Sequence, residues 1–87
     1  MRKRRVRIEE SKLGRHRAWG IYLPSQKGLR TPKIIIDPRQ KPKDEMDTII
    51  HEGLHHAIPS LSEKQVMRAA SDLTEILWNM NYRRTRQ

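Results

Sequence analysis

The sequence predicts an α+β fold: a small three-stranded sheet followed by an antiparallel helical hairpin. Three observations predict it. The front half holds three short runs rich in β-branched and aromatic residues, set apart by glycine and proline. The back half holds two long stretches with helical periodicity. Only about four residues join those stretches, which brings the two helices back to back.

Each strand has its own signal. Arg5–Glu10 alternates, with Val6 and Ile8 apolar and Arg5, Arg7 and Glu9 polar, and reads as a strand with one wet face. Gly14 to His16 reads as a turn. Ala18–Leu23 carries Trp19, Ile21, Tyr22 and Leu23 and is stopped by Pro24. Ser25 to Gly28 is loop. Pro32 opens a third strand, Lys33–Asp37, whose isoleucine run suggests an interior position or burial on both faces. Residues 37–42 form a connector.

The first helix is expected from about Asp44 to Ala57. Asp44, Glu45 and Asp47 suit the positive end of its dipole. Met46, Ile49, Ile50, Gly53, Leu54 and Ala57 form its apolar stripe, and Pro59 stops it. The second helix has a capping box in Ser62 and Gln65, with Leu61 and Val66 as the hydrophobic staple. Val66, Ala69, Ala70, Leu73, Ile76, Leu77 and Met80 are its expected buried face, and it frays near 79–82.

Size and composition narrow the chemistry. The 87 residues make a single domain, with residues 1–7 as a basic arm and 83–87 as a basic tail. Chains of this length bury little core and gain from a staple. There is no cysteine, so disulfides, thiolate metal sites and thiol nucleophiles are excluded. A metal held by other ligands remains. No stretch is apolar enough for a membrane, and no apolar run follows the basic start, so a cytoplasmic location is expected.

The net charge is +9, distributed as +9 over residues 1–33, −2 over 34–59 and +2 over 60–87. Basic ends favour polyanions, nucleic acid foremost, through counterion release. No helix-turn-helix, aromatic RNA-binding strand or Cys/His finger accompanies them.

The acidic island between them holds the chemistry. His51, Glu52, Gly53, Leu54 and His55 spell H-E-x-x-H inside the first predicted helix. Positions four apart share a helix face, so His51 and His55 aim at one point, where they would hold a zinc ion. Glu52 sits one step round, placed to act as the catalytic base toward a water. A catalytic zinc takes a third protein ligand, and four residues are candidates. His56 is turned by about 100° from His55 and should miss the ion. Glu75 faces away from the buried stripe. Asp72 should stand near the start of the first helix. Glu63 fits best: it is the one charged member of the seam 63, 66, 70, 73, 77 and falls beside the histidines in an antiparallel hairpin.

Thr48 to Ala57, T-I-I-H-E-G-L-H-H-A, resembles the extended signature of zincin metallopeptidases at every place. Three strands and then the motif helix are also similar to the minimal zincin core. The metzincin continuation is absent, since Ile58 and Leu61 stand where it needs glycine and histidine. A glutamate ligand on the next helix resembles gluzincins and the ImmA/IrrE-like peptidases, and the layout is similar to small zincin-like proteins of bacteriophages. The resemblance covers residues 48–84. It implies a zinc peptidase acting on a peptide or protein substrate, with Glu52 as base and proton shuttle. It further implies a strand beside the motif helix that holds extended substrate, for which the strand around Ile34–Asp37 is the candidate. An oxyanion donor is expected, and Tyr22, Tyr82 and His16 are available. The alternative is a basic, nucleic-acid-associated accessory protein with a structural or degenerate zinc site.

Overall fold

The computed structural model describes residues 5–14, 18–28 and 30–85. His16, residues 1–4 of the basic arm and residues 86–87 of the tail lie outside the described residues. Three strands precede two helices: β1 (Arg7–Glu10), β2 (Gly20–Leu23), β3 (Lys33–Ile36), α1 (Pro42–Ala57) and α2 (Glu63–Asn79). This is the α+β layout that the sequence predicts. β1 starts two residues later than expected and β2 begins at Gly20 rather than Ala18. α1 begins earlier, at Pro42 rather than Asp44, because proline suits a first helical position where no N–H bond is required.

The isoleucine run takes the interior position. The strand order is β1-β3-β2, with β1 parallel and β2 antiparallel to β3. Ile34 stands between Ile8 and Tyr22, and Ile36 between Glu10 and Gly20. Ile34 and Ile36 are buried, while Ile35 on the other face is half-buried. α1 lies across β2 and β3, and among the described residues α2 touches α1 but no strand. β1 therefore projects past the helical layer, and Ile8 stays 59% exposed.

Buried Asp37 fixes the layers at the end of β3. Its carboxylate accepts from the Leu13 N–H at 2.8 Å, the Arg39 N–H at 3.0 Å, and Arg39 Nε and Nη2 at 2.9 and 2.7 Å. The Arg39 guanidinium, and next the Leu13 N–H, hold this carboxyl far below the usual carboxylate range. Gln40 continues the tie: its Nε2 donates to the carbonyls of Trp19 and Asp37, and its Oε1 accepts from Thr48 on α1.

The hairpin closes as its caps predict. Ser62 and Gln65 form the reciprocal capping box, at 3.1 Å for the Gln65 N–H and 2.8 Å for the Ser62 N–H. Asn81 has φ 66°, and the Tyr82 and Asn81 N–H groups bond back to Leu77 and Trp78, a Schellman ending. The expected buried face of α2 needs correction. Val66, Ala70 and Thr74 are buried, but Leu73, Ile76 and Met80 are exposed. α2 has one neighbour instead of two, so only the strip facing α1 is covered.

The tail folds back on the domain. The Arg83 guanidinium stacks on Trp78 at 3.3 Å from the ring centroid. Arg84 reaches Glu10 on β1 at 2.7 Å and buried Glu45 on α1 at 3.1 Å.

Candidate metal centre

The site begins with local helix geometry. One turn of α1 separates His51 from His55, and their ring centroids stand 5.1 Å apart on one face. The C-terminal end of α1 brings them to the mouth of the hairpin, where α2 starts. Glu63, the first residue of α2, lies between them. His51 Nε2 donates to Glu63 Oε1 at 2.7 Å and His55 Nε2 to Oε2 at 2.9 Å. One carboxylate thus marks the point at which both imidazoles aim.

Glu52 is the other carboxylate here. Ligand atoms of His51, Glu52 and His55 lie within 4.8 Å of one another, and this group could hold a metal ion. Among the described residues Glu52 has no hydrogen bond, whereas Glu63 is bound to both imidazoles. Desolvation pushes the Glu52 carboxyl upward; His51 and His55 oppose the shift, and Glu63 adds to it. Two carboxylates in one site are thereby differentiated: one engaged with the imidazoles, one half-buried and free to face a water.

β2 packs closely against this part of α1. A Cβ at Gly20 would stand 2.5 Å from Thr48 Cγ2 and 3.1 Å from Glu52 Cγ. Only a residue without a side chain lets the strand come this close to the helix. β2 is also an edge strand, while both edges of β3 are occupied. The edge strand beside the motif helix is thus β2, not the strand around Ile34–Asp37. Sequence reasoning passed over Gly20; an isolated glycine inside a strand pattern is the signal of close backbone approach.

The remaining candidates separate cleanly. His56 misses the centre as expected and turns to Tyr22, whose hydroxyl lies 3.0 Å from His56 Nδ1. Glu75 pairs with Lys43, and Asp47 accepts from Thr74 at 3.4 Å, so this stretch of α2 runs beside the start of α1. Asp72 is exposed in the same stretch, away from the histidines. Tyr82 follows the far end of α2 and is exposed. Tyr22 alone of the described oxyanion candidates reaches the site: with Gly20, Glu52, His55 and Pro59 it lines a cleft of about 520 Å³.

Comparison of the chain with protein-family models, curated proteins and solved structures finds no match. The functional reading rests on the residues themselves.

Proposed function

We propose that this chain is a zinc-dependent peptidase of the zincin type, with His51, His55 and Glu63 as metal ligands and Glu52 as the base. The support that carries the reading is the Glu63 carboxylate held by both imidazole Nε2 atoms, with the unengaged Glu52 carboxylate beside them. Two nitrogens and a carboxylate suit zinc and leave a fourth position for water. Calcium and magnesium prefer all-oxygen sites.

Zinc would supply Lewis acidity, polarising the scissile carbonyl and easing ionisation of a water. The chain's own work is proton transfer and positioning. Glu52 takes a proton from the attacking water, whose oxygen bonds to the carbonyl carbon. The C–N bond then breaks, and Glu52 delivers that proton to the leaving nitrogen. A carboxyl pushed upward by burial suits a group that must hold a proton between two events. Gly20 lets β2 exclude water from one side of it.

The test combines metal analysis with one variant. The purified protein should take up one zinc and cleave a quenched-fluorescence peptide library. Glu52→Gln retains zinc and the circular dichroism spectrum but loses turnover by at least about 10²-fold. Unaltered turnover in that variant, or failure to take up zinc, overturns the reading.

A further inference from the structure

A second pocket opens beside the cleft. It encloses about 430 Å³ and is lined by Arg5, Tyr22, Ser25, Arg30, Thr31 and His56, with Pro32 and Pro59 at its edges. Tyr22 and Pro59 line both spaces, so the pocket and the cleft holding Glu52 and His55 adjoin.

Its composition is selective. No aspartate or glutamate lines it, although the chain has 10 acidic residues. Arg5 and Arg30 have no ion pair among the described residues. Four cations elsewhere in the fold are paired by contrast: Arg39 with Asp37, Lys33 with Glu9, Lys43 with Glu75, and Arg84 with Glu10 and Glu45. Two arginines without an ion pair among the described residues thus line one concave site.

The walls are pinned. The Ser25 hydroxyl donates to the Arg30 carbonyl at 2.7 Å, which closes the β2–β3 loop and places Arg30. The Arg7 N–H donates to the Pro32 carbonyl at 2.8 Å, which sets the start of β1 beside β3 and brings in Arg5. The Tyr22–His56 hydrogen bond joins β2 to the end of α1. Guanidinium forks match planar carboxylates bidentately.

We infer that this pocket is a subsite for a substrate carboxylate, so that the protein selects peptides bearing an acidic group near the reacting bond. The inference rests on the peptidase reading for its substrate class, but binding can be measured apart from turnover. The carboxylate has two possible sources, an acidic side chain or a free C-terminus. A phosphate of nucleic acid is the competing occupant.

The experiment uses the zinc-loaded Glu52→Gln protein and isothermal titration with three matched heptapeptides. One carries an internal glutamate and an amidated end, one glutamine and a free C-terminal carboxylate, and one glutamine and an amidated end. At least one acidic peptide should bind ten times or more tightly than the neutral one, and the stronger of the two identifies the source. Arg5→Gln/Arg30→Gln, made in the same background, should bring that ratio to about one. On the protein with Glu52 intact, kcat/KM for the same peptides should show the same preference. Equal affinity for all three peptides, or a preference that survives the double substitution, overturns the inference. So does an oligothymidylate that binds through the two arginines while the peptides are not discriminated. Selective binding without any cleavage leaves the subsite standing and removes the peptidase reading alone.

Discussion

At the scale of single residues, a missing side chain and a doubly bonded one shape the centre. Gly20 has no room for a methyl group against Thr48. Gly20→Ala should cost about 1–3 kcal/mol, as overpacking does, and lower turnover because β2 backs away from Glu52. Thr48→Ser removes the obstructing Cγ2 but keeps the hydroxyl that bonds Gln40. The double variant should therefore recover much of the loss, measured by chemical denaturation. Glu63 makes a second case. Glu63→Ala should weaken zinc binding at least about tenfold, since even outer partners of metal ligands cost that much. Asp72→Ala should leave zinc binding unaltered; competition with a chromogenic chelator distinguishes the two, and the reverse order would sink the ligand assignment. Both His51 and His55, and Glu52 between them, were readable from spacing alone, because helix periodicity fixes which face a side chain shares. The position of Glu63 beside the two histidines was readable too, as a charge in an apolar seam.

At the scale of elements, local signals were more informative than pairing signals. The capping box, the stop at Pro59 and the isoleucine strand each follow from a few neighbouring residues. The order β1-β3-β2 does not, because no short-range rule says which strand a central strand will accept on either side. For the same reason the sequence points to β3 as the edge strand beside α1, whereas β3 is central and that edge is β2. The exposed Leu73, Ile76 and Met80 show a further limit. Periodicity marks a side of a helix as apolar but cannot count the neighbours available to cover it. α1 itself offers a test of propensity. A Cβ at Gly53 would meet nothing within 4 Å. Gly53→Ala should stabilise the fold by about 0.5–1 kcal/mol, seen as a higher melting temperature with the metal-site residues intact.

At the scale of the whole molecule, Asp37 couples stability to acidity. Its carboxyl is depressed in the folded state, first by the Arg39 side chain and then by the Leu13 N–H. Its unfolded counterpart titrates near 3.9. The unfolded chain therefore takes up this proton first as the pH falls. The stabilisation is complete above that value and drains away as the pH drops toward the folded one. Melting temperature followed from pH 6 to pH 2 should fall in that acid range, and Asp37→Asn should flatten this part of the curve while lowering its plateau. The formal charge of +9 also reads differently in three dimensions. Arg39, Arg84, Lys33 and Lys43 are engaged within the fold, whereas Arg5 and Arg30 line one pocket beside the cleft.

The reach of Arg84 has a consequence for synthesis. Glu45 is buried, yet its Arg84 partner arrives thirty-nine positions later in the chain. During translation the sheet and α1 emerge first, with that acid still lacking its distant arginine. The native arrangement is complete only when residue 84 is available, so a released chain ending after α2 should unfold at lower denaturant than the full chain.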